Sequence, residues 1–139
     1  MEIQYKIFKE DKLLVQKYNG DFSIEKYQDY IRTLTNNQSW KDIELVLTDL
    51  RNVNLSPVYN NIENLITIRS NTIKKKYLNV FLVDTPRETA ILHLYQEGLI
   101  KKNYNYAYCS TIEKAIELLN SNTSEKELEE MISNLNSSF

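Results

Sequence analysis

Asp49 and Arg51 stand two positions apart at the end of the apolar run Leu45-Val46-Leu47. In a strand that spacing sends both side chains to the same face. A guanidinium beside a carboxylate has two uses. It can present a fork to an incoming anion while the carboxylate orients it, or it can close a local ion pair that ties the strand end to a neighbouring helix. In open α/β sheets ligands collect beyond the carboxyl ends of the parallel strands. That rule places Asp84 and Thr85, and then Cys109 and Ser110, at the same pole as Asp49 and Arg51. Tyr95, Tyr104, Tyr106 and Tyr108 are the remaining candidates. Each carries an apolar body and a polar tip, which suits a ligand cavity between sheet and helices as well as plain core packing.

Other residue types restrict the chemistry. His93 is the only histidine and lies between Leu92 and Leu94. No second His or Cys stands at ligand spacing, so no metal site is expected. Any Ser-His-Asp scheme would have to run through that one His. Cys109, the only cysteine, reads as a small buried residue at a strand end. With only Gly20 and Gly98 in the chain, no glycine-rich phosphate loop can be written. The expectation is a non-catalytic protein without a cofactor. Lys74, Lys75 and Lys76 precede one strand, and Lys101 and Lys102 precede the next. They can face an acidic partner or an anionic membrane surface, or simply complement the ends of the helices they close.

Composition sets the frame for these residues. A chain of 139 residues can bury a proper core, and its 42% hydrophobic and 26% charged content is ordinary for a globular domain. The formal net charge of −2 lacks the basic footprint of a general nucleic-acid binder. One cysteine rules out an internal disulfide and fits a reducing compartment. Met1-Glu2-Ile3-Gln4-Tyr5-Lys6 has neither the basic nor the apolar region of a signal peptide. No apolar run reaches the roughly 18 residues of a membrane span. A cytoplasmic location is expected.

The elements that position the candidates follow from periodicity. Ile3, Tyr5 and Ile7 alternate with polar residues, and a second short run follows at Leu13–Tyr18, so the chain opens with an antiparallel hairpin. Gly20 closes it at a backbone angle other residues avoid. Ile24, Tyr27, Ile31 and Leu34 mark a helix capped by Asp21 or Ser23. Trp40 anchors the loop before the central strand. Ser56 is expected to cap a second helix with Pro57 at its first position, and Val58, Ile62, Leu65, Ile66 and Ile73 form its apolar stripe. Tyr77–Val83 is a strand covered on both faces. Thr85-Pro86-Arg87-Glu88 starts a third helix with a capping box, buried through Ala90, Ile91, Leu94, Tyr95 and Leu99. Tyr104–Cys109 is the last strand. Ser110-Thr111-Ile112-Glu113 and Ser124–Glu127 are two further capping boxes, each opening an amphipathic helix. Asn136-Ser137-Ser138-Phe139 is expected to fray.

The order of elements, the strand end Leu-Val-Leu-Thr-Asp-Leu-Arg and the closing Ser-Thr-Ile-Glu-Lys-Ala-Ile-Glu-Leu-Leu helix resemble the SpoIIAA-like proteins. These are a branch of the STAS superfamily, which is similar to a lipid-binding fold. The resemblance covers residues 1–120 and leaves a C-terminal helix and tail, 121–139, outside it. It implies a mixed five-stranded α/β sheet, with an N-terminal antiparallel hairpin and the remaining strands parallel, flanked by helices. It also implies a non-catalytic binding module for a protein partner, including a second copy of the chain as a homodimer, in bacterial-type regulation. The alternative is a carrier of a small apolar or lipid-like ligand held between sheet and helices. Antagonist members of the superfamily carry a phosphorylatable serine in an Asp-Ser-Ser/Thr-Gly motif after the central strand. Ser56 stands at that place here, within Asn54-Leu55-Ser56-Pro57, without the Asp or the Gly.

Overall fold

A computed structural model describes residues Met1–Phe139 as a mixed α/β sheet with helices on both faces. Strands β1 (Glu2–Phe8) and β2 (Leu13–Asp21) form the antiparallel hairpin. From there β2 leads through α1 (Ile24–Thr35) to β3 (Leu45–Asn54). Next come α2 (Ile62–Thr72), β4 (Leu78–Leu82), α3 (Pro86–Ile100) and β5 (Asn105–Cys109). Strands β2 to β5 are parallel neighbours. Helices α4 (Ile112–Leu119) and α5 (Glu125–Ser133) follow, and the chain ends in β6 (Ser137–Ser138), antiparallel to β1. Spatial order is β5-β4-β3-β2-β1-β6.

That order dictates the layers. Each crossover moves one strand further in the same direction, so crossovers of the usual right hand put all three helices on one face. Leu14, Val46, Leu50, Phe81 and Tyr106 meet α1–α3 there in one core cluster of 26 residues. Alternate residues Leu13, Val15, Leu47, Val80 and Leu82 point the other way. They would face water if the chain stopped at β5. Instead α4 and α5 cover them, through Ile112, Ala115, Leu119, Leu128 and Ile132, in a second cluster of 11.

Several local expectations are corrected. The second helix does not run from Pro57. Residues Ser56–Asn61 form a 3-10 segment first, whose three-residue turn stacks buried Leu55 under buried Val58. Leu55, not Ser56, takes the cap position, and the Ser56 N–H instead donates to Asn54 Oδ1 at 3.1 Å. Of the three capping boxes, only Ser124–Glu127 closes in both directions. Thr111 does cap α4, but that makes Glu113 its second residue rather than its third. Ala90 and Leu94 are exposed on α3, and the buried positions are Glu88, Ile91, Leu92, Tyr95 and Leu99. Ser23 caps α1 through Lys26 N–H, and Gly20 adopts φ +82°.

The tail does not fray. Phe139 N–H donates to Ile3 O at 2.8 Å, Ile3 N–H donates back to Phe139 O, and the Phe139 ring meets Tyr30 edge-on with centroids 5.5 Å apart. Phe139→Ala is therefore expected to lower unfolding free energy by about 1–2 kcal/mol, a half-buried share of the usual phenylalanine deletion. The Phe139 amide should also be protected in hydrogen exchange; exchange at random-coil rates would show the tail to be free.

Candidate functional site

Strand β3 carries a bulge where its candidate residues lie. Lys17 pairs with Asp49 and Asn19 with Asn52, so β3 spends three residues where β2 spends two. A bulge leaves a backbone group unpaired, and Asp49 meets it: Oδ1 accepts from Arg51 N–H at 3.0 Å. The same carboxylate takes Arg51 Nε at 3.0 Å and Nη2 at 2.9 Å. The other side of the guanidinium reaches Glu129 of α5, at 3.2 Å from Nη1 and 3.4 Å from Nη2. Asp49 is 1% exposed. The Arg51 fork is thus spent on two carboxylates, and the cluster carries net negative charge. The hydrogen bonds that the guanidinium donates to Asp49, and to a lesser extent Glu129, hold its pKa above the usual arginine value although burial works against its charge. Of the two uses open to this pair, the geometry matches the strap that ties the central strand to a helix.

The remaining candidates separate. Asp84, Thr85, His93, Tyr108 and Ser110 surround one shallow depression beyond β4 and β5. There Tyr108 OH lies 3.2 Å from His93 Nδ1. His93 and Cys109 belong to opposite sides of the sheet, since Cys109 packs in the α4–α5 cluster. No group of three or more His, Cys, Asp or Glu side chains converges. Ser56 is exposed at the 3-10 segment. Among the lysines, Lys75 Nζ donates to the carbonyls of Trp40 and Lys41 and sits 5.2 Å from the Trp40 ring centre, while Lys74 Nζ donates to Ser70 O. These two serve the fold. No helix is long and apolar enough to cross a membrane.

Tyr106 belongs to a different place. It is one wall of an interior cavity of about 60 Å³ between the sheet and α1–α3, in the measure by which one water needs roughly 10–15 Å³. Of its 23 lining residues, 21 are hydrophobic, and the two others are Gln16 and Asn79. Both amides are tied into a buried chain across three strands. Tyr30 OH donates to Gln16 Oε1 (2.7 Å), Gln16 Nε2 to Thr48 Oγ1 (2.8 Å), and Thr48 OH to Asn79 Oδ1 (2.9 Å). Aromatic rings dominate the rest. Trp40 and Tyr77 meet edge-on at 5.3 Å, and Phe81 stacks on Tyr106 at 5.5 Å.

Behind this wall lies a residue that sequence reading passed over. Arg69 of α2 is 1% exposed. Its Nε donates to Tyr106 OH at 2.8 Å and its Nη1 to Ile73 O at 2.6 Å, while Nη2 is buried with no partner. The rings of Tyr104, Tyr77 and Tyr106 surround it at 4.4, 5.1 and 5.9 Å. The signal was present. Arg69 follows Leu65 and Ile66 by four and three positions and precedes Ile73 by four, so a cation interrupts an apolar stripe. Gln16, Thr48 and Asn79 gave the same kind of signal, as polar residues at core parity within apolar strands. Glu88, expected in a capping box with Thr85, is buried on α3. Burial pushes its carboxyl up, but hydrogen bonds from Thr85 and Arg87 outweigh that and hold its pKa below the usual range.

Comparisons with known protein families, with curated proteins and with solved structures return no match.

Two outcomes follow from these contacts. Arg51→Ala leaves the Asp49 carboxylate buried without its cation, and should cost about 1–3 kcal/mol in urea unfolding; an unmoved midpoint would release Arg51 from the strap role. The second concerns alkaline pH. Burial raises the Tyr27 pKa from 10.0 to about 12, and those of Tyr18, Tyr30, Tyr95 and Tyr106 well above 10.0. A raised folded-state pKa gives stability that is complete below the unfolded value and lost as pH climbs towards the folded one. The melting temperature should hold to about pH 9.5 and fall steeply between roughly pH 10 and 12. Absorbance of tyrosinate should rise in step with unfolding rather than before it.

Proposed function

We propose that this protein is a non-catalytic binding domain whose ligand is a small, mainly apolar molecule held between the sheet and α1–α3. The observation that carries the reading is the cavity itself. Close-packed interiors leave few spaces larger than a water molecule, and an apolar cavity of sufficient size stays dry and takes up apolar guests. This one has room for several water-sized groups, and a ring enters it as the walls give. Its aromatic walls supply flat contact area, and Gln16 and the side-chain oxygen of Asn79 are bonded to protein partners.

Regulatory binding of a protein partner, implied by the STAS resemblance, would call for an apolar docking face. The large exposed apolar side chains are Tyr59, Leu94 and Ile100. Leu94 and Ile100 lie six positions apart on α3, about 240° around the helix, and Tyr59 belongs to the 3-10 segment. They do not form one face. The candidate catalytic groups are likewise dispersed: His93 at the surface, Cys109 under α4, Ser56 on the 3-10 segment.

Toluene tests the reading. At near-saturating concentration it should raise the melting temperature, since binding to the folded state alone stabilises by mass action. In NMR spectra it should move the methyl resonances of Val58, Leu65, Ile91 and Leu92, which line the cavity, while those of Leu47, Val80 and Leu128 across the sheet stay in place. Native mass spectrometry of the freshly purified protein should show a small retained mass. No response of melting temperature or cavity methyls to toluene would remove the proposal.

A further inference from the structure

The cavity has a charged neighbour that the apolar reading does not use. Arg69 is buried inside the α1–α3 core, and no carboxylate touches it. Every ion pair in the protein involves other cations: Lys12, Arg32, Arg51, Arg87, His93 and Lys114. Burying a cation without a counter-ion is among the costliest arrangements in a protein interior. Part of the cost is offset by the tyrosine rings and by two hydrogen bonds. Nη2, however, remains without an acceptor.

The position of the guanidinium links this deficit to the cavity. Tyr77 and Tyr106 are shared: each faces Arg69 on one side and lines the cavity on the other. Tyr27 and Tyr95 line it too. One end of an otherwise apolar space is thus walled by the Tyr77 and Tyr106 rings, which are backed by an unpaired positive charge. A neutral hydrocarbon would use the cavity and leave that end unanswered.

We propose that the ligand is a small apolar carboxylate, with its ring or short chain in the cavity and its carboxylate paired to Arg69 at the tyrosine-lined end. This rests on the cavity reading above and adds the charged group to it. A carboxylate supplies what the site lacks: two acceptor oxygens for Nη2 and the nearby hydroxyls, and a negative charge in a setting where charge-assisted hydrogen bonds are strong. Because the guanidinium sits behind Tyr77 and Tyr106, the carboxylate reaches it as those rings turn. The bound state therefore has a larger cavity than the free one. Protein carboxylates give no competing partner, since Glu88, the buried acid on α3, is already held by Thr85 and Arg87.

The test is a pair of NMR titrations of the full chain at pH 7, with benzoate and with toluene, which share a ring and differ in charge. Benzoate should bind at least tenfold more tightly and shift the Arg69 Nε–Hε resonance, which toluene leaves nearly unmoved. In Arg69→Met the order should invert, with benzoate weakened tenfold or more and toluene retained. Should that variant not fold, the wild-type affinities and the Arg69 resonance decide the matter alone. Toluene binding as well as or better than benzoate, benzoate binding with Arg69 unshifted, or benzoate unaffected in Arg69→Met would each overturn the carboxylate assignment and leave the apolar cavity standing. If neither molecule binds, both readings fall together.

Discussion

Parallel strands put apolar side chains on both faces of a sheet, and in this chain they are laid down in one direction only, from β2 to β5. With crossovers of one hand, that progression commits α1, α2 and α3 to a single face. The opposite face, with Leu13, Val15, Leu47, Val80 and Leu82, then needs cover from chain that has not yet been used. Helices α4 and α5 provide it, running back across the sheet from β5 towards β2. The return leaves the last residues beside β1, where β6 closes what would otherwise be a bare strand edge. Strand β3 takes part in both cores, and the Asp49–Arg51–Glu129 cluster fastens it to the returning helix. A two-faced sheet built in one direction therefore accounts for the C-terminal segment as well as for the strap.

The same progression explains where open space lies in this fold. The crevice of a doubly wound sheet opens where strand order reverses and neighbouring crossovers go to opposite faces. Here no reversal occurs between β2 and β5, and beyond the carboxyl ends of β4 and β5 lies the shallow depression around Asp84 and Tyr108. The interior space lies instead between layers. Three helices packed side by side over a twisted sheet must fill the gap with side chains of the right bulk, and this chain fills it with rings. Rings meeting edge-on, such as Trp40 with Tyr77 or Phe81 with Tyr95, leave interstices that branched aliphatic side chains would close.

Much of this architecture was legible as pattern. Alternation marked β1, continuous apolar runs marked β3 and β4, and spacings of three and four marked the helices, because burial imposes those periods directly. What escaped was contact between distant segments. Nothing near Arg51 in sequence announces Glu129, 78 positions later, and the bulge that joins Asp49 to the Arg51 N–H is a matter of register with β2. The tail looked free because Asn-Ser-Ser has no strand propensity, yet an edge strand with unpaired donors recruits whatever backbone is delivered to it. Asp49 and Arg51 stand out in the sequence by reactive type, whereas Arg69, Gln16, Thr48 and Asn79 stand out as polar residues that interrupt apolar patterns.

Those violations differ in kind. Gln16, Thr48 and Asn79 partner one another: with Tyr30 they form a run of three hydrogen bonds from Tyr30 OH to Asn79 Oδ1, which lowers the cost of polar residues in three buried strands. Arg69 is not completed in this way. Its bond to Ile73 O anchors the end of α2, and the positive charge suits that end of the helix. An ordinary C-terminal residue would serve α2 as well, with its charge in water. A lysine could also let its proton go on burial, whereas arginine keeps its charge. The combination of a permanent cation, three surrounding tyrosine rings and an unpartnered Nη2 is expensive for packing alone. It is what an interior site requires if the anion that completes it arrives from outside.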